Sequence, residues 1–211
     1  MKNLIAIIDY GMGNLKSVQK ALTFLNIDSF ISDKKEDIEK SAGIIVPGVG
    51  AFPDAMESLR KNGLYELIKK EAKIGKPILG ICLGMQLFFE ESCEITDTKG
   101  FGFFKGKILE IKKDVKVPHM GWNNLKFQSD CPLLEGVKED SFVYFVHSYF
   151  AKIEEDGILK AYTEYGIDIP AIVCKNNIFG IQFHPEKSGE VGMQILRNFN
   201  KLVNNFKKTN L

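Results

Sequence analysis

The sequence predicts an α/β fold, a mixed, mainly parallel sheet between layers of helices, and three observations carry that expectation. Through the first half, short apolar runs alternate with segments of helical period. Through the second half, strand-like runs follow one another directly, and a long amphipathic segment closes the chain. Strand–helix alternation builds parallel strands joined by crossover helices on both faces of a sheet, while consecutive strands add antiparallel partners.

Taken in order, "LIAII" at 4–8 is a buried strand running into Asp9, and "LKSVQKALTFL" at 15–25 is a helix. "SFI" at 29–31, "GIIV" at 43–46 and "PILGI" at 77–81 are strands, whereas "AMESLRKNGLYELIKKEAK" at 55–73 and "MQLFFEE" at 85–91 have helical period. "KILEI" at 107–111, "SFVYFVHSYFAKI" at 141–153, "GILKAYTEY" at 157–165, "PAIVCK" at 170–175 and "IFGIQF" at 178–183 continue the sheet, with "KNN" at 175–177 as a hairpin turn. The segment at 190–206 sets Val191, Ile195, Leu196, Phe199, Leu202 and Val203 on one stripe, which packs on the sheet. With 211 residues and no repeat or linker, one domain spanning 1–211 is expected.

Composition excludes several classes of function. The net charge is +1, and lysines are interspersed with acids, as in "DKKEDIEK" at 33–40, so neither nucleic acid nor a membrane surface finds a basic stripe. The first apolar run is too short for a signal peptide, and no run approaches a membrane span. Cys82, Cys93, Cys131 and Cys174 lack paired spacing, which reads as a reduced, cytoplasmic chain without cysteine-held zinc or another metal. "DYGMGNLK" at 9–16 invites a dinucleotide reading, but Lys16 stands where the third glycine is needed, so it reads as a tight turn into a helix capped near Asn14, and no cofactor is expected.

The chemistry concentrates in "GICLG" at 80–84, a nucleophile elbow with cysteine in the serine's place. A strand turning sharply into a helix holds its corner residue in a strained conformation, with flanking glycines keeping Cβ atoms out of the crowded backbone. Cys82 would then stand at the carboxyl end of the sheet, beside a helix N-terminus that favours thiolate and offers the Leu83 N–H to an oxyanion. A buried structural cysteine is the competing explanation.

Three histidines could serve as its base. In "GIQFHPEKS" Pro185 bars a helix, so His184 and Glu186 at i and i+2 share a side, as a carboxylate-oriented imidazole requires. A surface turn explains "HPE" alone, but the two motifs together suit acyl transfer through a thioester. "VPGVGAF" at 46–52 supplies a second oxyanion donor if Gly48 and Gly50 free the Val49 peptide to turn. His147, on an aromatic strand, reads as a satisfied core histidine.

"GICLGMQ" with "HPE" resembles the class I glutamine amidotransferases, whose Cys-His-Glu triad releases ammonia from the glutamine side chain. Within that family "DYGMGNLKSV", "PGVGAF", "VPHMGWN" at 117–123, "YFVHSY" at 144–149 and "GIQFHPEKS" look like the glutaminase subunits of imidazole glycerol phosphate synthases. The resemblance covers nearly the whole chain. It implies a (β/α)8-barrel cyclase subunit as partner in a heterodimer, glutamine as substrate, and ammonia channelled into histidine biosynthesis. It makes Cys82 the nucleophile, His184 the base and then acid, and Glu186 the orienter; Val49 falls in the oxyanion strand, and Gly50 and Gln86 contact glutamine. Asn14, Met120, Trp122, Tyr144 and Lys187 fall at the partner interface, although Met120 and Trp122 also read as core.

One segment departs from the pattern: in "GFGFFKGKILEI" at 100–111, Phe103, Phe104 and Lys105 replace a leucine-rich turn with an Ile-Pro pair. This leaves open a paralogous subunit supplying ammonia for amidination of a surface-polysaccharide sugar. A catalytically idle regulatory subunit is a third alternative, which the intact Cys82, His184 and Glu186 oppose.

Overall fold

The computed structural model describes residues 3–112 and 115–209. The first half runs β1 (Ile5–Ile8), α1 (Leu15–Phe24), β2 (Ser29–Ser32), α2 (Lys35–Lys40), β3 (Gly43–Gly48), α3 (Phe52–Lys61), α4 (Leu64–Lys73), β4 (Ile78–Cys82) and a single turn, α5 (Leu83–Gln86). The second half runs β5 (Phe89–Ser92), β6 (Thr98–Lys99), β7 (Phe104–Glu110), β8 (His119–Asn124), β9 (Lys126–Phe127), β10 (Phe142–His147), β11 (Tyr149–Ile153), β12 (Leu159–Glu164), β13 (Asp168–Lys175), β14 (Ile178–Ile181) and α6 (Gly189–Thr209).

Eight strands form the main sheet in the order β2-β1-β3-β4-β14-β13-β12-β9. The pairs from β2 to β14 are parallel, and those from β14 to β9 are antiparallel. Alternate side chains leave a strand on opposite faces, so Ile5, Ile7, Leu79 and Ile81 bury with Leu22 of α1 and Phe199 of α6. Ala6, Ile8, Ile44 and Val46 bury on the other face with Met56 of α3 and Ile68 of α4. The α/β class with a mainly parallel sheet is thus as expected from the alternation of runs.

The differences lie at boundaries and in the second half. The stretch at 55–73 is two helices, because Gly63 takes φ +66 and turns the chain between α3 and α4. The expected helix at 85–91 ends at Gln86, and Phe89 instead starts a strand. Phe88 and Phe89 are fully buried against the rings of Phe101, Phe103 and Phe104, so tertiary packing overrides the local period. The run at 141–153 breaks at Ser148 into β10 and β11, which join different sheets: β10 pairs with β8, and β11 belongs to a sheet ordered β11-β7-β5-β6. The departing segment at 100–111 therefore supplies β7 and an aromatic cluster that packs on Phe88.

Candidate active site

Cys82 ends β4 at φ 54 and ψ −111, a conformation rarely adopted by an L-residue and costing on the order of 1–3 kcal/mol. The neighbouring glycines make this corner possible. A Cβ on Gly80 would meet Gly84 O and Met85 N at 2.6 Å, and one on Gly84 would collide with Val46 O. The one-turn α5 is too short for a substantial macrodipole; what it offers is its first N–H groups, Leu83's foremost, which have no partner within the helix.

Gly48 pairs with Cys82 across β3 and β4, which brings the 46–52 loop to the corner. A Cβ on Gly48 would lie 2.5 Å from Tyr10 Oη and 2.9 Å from Leu83 Cβ. Tyr10 anchors that strand end by donating to Pro47 O at 2.6 Å, and burial raises its phenol above the usual range. Gly50 at φ +100 follows Val49, which is 46% exposed at the mouth of the cleft.

His184 leaves the end of β14 just before the 3-10 turn Pro185–Lys187. Its Nδ1 lies 2.9 Å from Glu186 Oε1, both side chains being almost wholly buried. Two bonds fix this turn to β10 and a third closes it: His184 N–H donates to Tyr144 O at 3.0 Å, Tyr144 N–H to Ser188 Oγ at 3.0 Å, and within the turn the Ser188 hydroxyl donates to His184 O at 2.6 Å. Burial opposes charge on His184, but the Cys82 sulfur and the Glu186 carboxylate outweigh it and raise the imidazole to about 10. Nε2 is buried without a hydrogen-bond partner among the described protein groups, so its interaction with the sulfur is electrostatic rather than a well-formed bond.

These groups share a cleft of about 280 Å³ whose walls include Val49, Gly50, Cys82, Leu83, Gln86 and His184. The structure thus brings together every residue expected at the reacting centre. Gln86 Nε2 donates to Tyr149 O and to Gln182 Oε1, each at 2.9 Å, which leaves its carbonyl oxygen for a ligand N–H. Gln182, not anticipated from sequence, is fully buried and donates to Cys82 Sγ at 3.7 Å. Its position two residues before His184, on the same side of an extended chain, was the available signal. Glu94 had no local signature, whereas the 146–149 wall of the cleft lies in the "YFVHSY" stretch, whose Tyr144 alone was expected to have a role.

The five expected interface residues are all at least partly exposed. Trp122 pairs with Tyr144 across β8 and β10, with ring centroids 6.0 Å apart. Lys187 Nζ lies 5.7 Å from the Tyr144 ring centroid, and Met120 and Trp122 are 61% and 56% exposed, so neither is core. Asn14 is exposed at the N-terminal end of α1, without a side-chain capping bond.

Comparison with known proteins agrees with this geometry. The family model for class-I glutamine amidotransferases matches residues 6–202. The imidazole glycerol phosphate synthase subunit HisH of Caldanaerobacter subterraneus subsp. tengcongensis is 51% identical, the alignment covering 95% of this chain and 98% of the relative. That of Bacillus cereus is 50% identical, covering 99% of each. Among solved structures, a glutamine amidotransferase superposes with a TM-score of 0.75 at 20% identity, over 94% of this chain and 98% of that one. PurLQS from Thermotoga maritima gives 0.76 at 20% identity, over 95% and 99%. Such distant structures speak to the fold alone, whereas the family model and the near-full-length relatives establish kinship: the chain belongs to the class-I glutamine amidotransferase family, alongside the HisH subunits of imidazole glycerol phosphate synthases.

Proposed function

We propose that this chain is the glutaminase subunit of an imidazole glycerol phosphate synthase, hydrolysing glutamine to glutamate and passing ammonia to a cyclase subunit. The observation that carries the reading is Cys82 on a strained corner in the same small cleft as the buried His184–Glu186 pair. The relatives' printed names supply the pathway.

In this mechanism the Cys82 sulfur, its proton passed to His184 Nε2, attacks the carbon of the glutamine side-chain amide. Negative charge on the amide oxygen is met by the Leu83 N–H and by the Val49 N–H once that peptide is turned inward. His184 gives its Nε2 proton to the departing nitrogen, releasing ammonia and leaving a thioester. The neutral imidazole then takes a proton from water, whose oxygen attacks the thioester; glutamate leaves and the sulfur is regenerated. Glu186 holds the ring through Nδ1 in both half-reactions. Gln86 and Gly50 contact the substrate.

Ammonia released to neutral water becomes ammonium, which has no lone pair to attack with, so the product calls for a sealed route. Met120, Trp122, Tyr144 and Lys187, with Asn14 as a further contact, form the surface to which the partner binds, and the complex works in the cytoplasm. Among the described residues no helix is long and apolar enough to cross a membrane. Waste is avoided if the Val49 peptide turns inward only when the cyclase is occupied.

The test is glutamate release by the chain alone, then with a histidine-pathway cyclase subunit and its nucleotide ligand. Strong stimulation supports the reading. Equal rates with and without the partner defeat the coupling, and no hydrolysis in either setting defeats the assignment.

A further inference from the structure

Two of the three histidines lie outside the triad, and the structure binds them to each other. His119 of β8 and His147 of β10 are register partners, 3% and 7% exposed, with His119 Nδ1 3.0 Å from His147 Nε2. Their protons can be placed by chemistry. His147 Nδ1 lies 2.8 Å from Tyr149 O, which only accepts, so Nδ1 carries the hydrogen. A neutral His147 must then accept at Nε2, so His119 donates from Nδ1. His119 Nε2 is left to accept from Asn123 Nδ2, 3.4 Å away, an amide nitrogen that only donates and is also held by Glu164 O at 3.0 Å. One directional chain results: Asn123 to His119 to His147 to Tyr149.

Both ends of this chain bear on the glutamine site. His119, Gly121 and Asn123 alternate along β8 with the exposed Met120 and Trp122. At the other end, Tyr149 O is the same carbonyl that receives Gln86 Nε2, and His147 itself walls the cleft beside Cys82. Burial keeps both rings neutral, lowering His119 to about 4 and His147 to about 3, the latter opposed by its bond to Tyr149 O and assisted by the neighbouring positive charge of His184. A proton on either ring would set N–H against N–H and break the chain.

We propose that His119 is a positioning residue for glutamine binding: by donating to His147 it selects the tautomer that holds the Tyr149 carbonyl, and with it Gln86, at the wall of the cleft. This rests on the glutaminase reading. Because β8 also carries Met120 and Trp122, the chain links the partner-facing ribbon to the substrate pocket through hydrogen bonds rather than through the oxyanion strand.

The test compares His119→Phe with His119→Asn in the full chain, assayed with whichever partner supports hydrolysis, together with two-bond nitrogen–proton NMR of His147. Phenylalanine keeps a ring between Phe145 and Tyr165, whose centroids lie 4.8 and 4.0 Å from that of His119, but cannot donate. It should raise the KM for glutamine about tenfold with little change in kcat, the loss of one buried hydrogen bond. Asparagine, whose amide nitrogen can take the place of Nδ1, should recover most of this. An unchanged KM in His119→Phe, or an equal fall in kcat for both variants, overturns the proposal and leaves the glutaminase reading standing. A wild-type spectrum showing His147 protonated at Nε2 overturns it without any variant. A wild type that never hydrolyses glutamine removes the function and this inference together.

Discussion

The two halves of the molecule meet at the cleft and hold it by different means. The first half, β1 to α5, positions its groups with backbone: a strained Cys82, glycines that let β3, β4 and α5 touch, and a turn at Gly50. The second half positions His184 and Glu186 with discrete hydrogen bonds between β10, the 3-10 turn and the Ser188 hydroxyl. The difference teaches that the nucleophile's geometry is enforced by sterics, which tolerate no added atom, whereas the base's geometry is enforced by bonds that can be loosened one at a time.

The largest effect should come from the reacting atom. Cys82→Ala should lower glutamate release by at least about 10⁴-fold while circular dichroism and partner binding stay unchanged, as removal of a nucleophile demands. If the variant kept activity, the comparison would lose its centre. Loosening the second half should cost less: Glu186→Gln leaves the imidazole in place with a poorer orienter, for a fall in kcat of about 10³–10⁴-fold.

The two halves should also separate in stability. Gly84→Ala places a methyl group against Val46 O and should destabilise the fold by about 3 kcal/mol in urea titrations, with activity lost through the distorted corner. Ser188→Ala removes one hydroxyl that bridges His184 O and Tyr144 N–H, costing about 1–2 kcal/mol without forbidding the fold. Equal losses from the two would erase the distinction between steric and hydrogen-bonded control.

The smallest and most graded test is pH. His119 and His147 have folded values lowered to about 4 and about 3, so the unfolded chain binds more protons between there and about 6.5, and stability should fall as pH drops through that window. His184 is raised to about 10, so its contribution is complete below about 6.5 and is lost as pH rises toward 10. Chemical denaturation across pH 4–10 should give a dome, and His184→Asn should flatten only its alkaline limb. A variant profile that parallels the wild type at high pH would show that the thiol and carboxylate do not hold the charged imidazole.

Much of the site was legible because its parts are local. "GICLG" announces a corner, and the contacts that require Gly80 lie within a few residues, although those that require Gly84 come from Val46 on β3; "HPE" names the imidazole and its carboxylate, but a 3-10 turn at Pro185–Lys187 brings them together in place of the extended period expected there. The alternation of apolar runs likewise determined the parallel half, since each strand and helix must bury one face or stripe. What sequence could not decide was which distant segments share a wall. Phe89 became a strand residue only because Phe104 lies beside it, Ser148 separated two strands because each found a different partner, and His119 and His147 became a bonded pair through cross-strand register. Those choices depend on contacts far apart in the chain, whose free energy exists only once the sheets are assembled, so no local pattern records them.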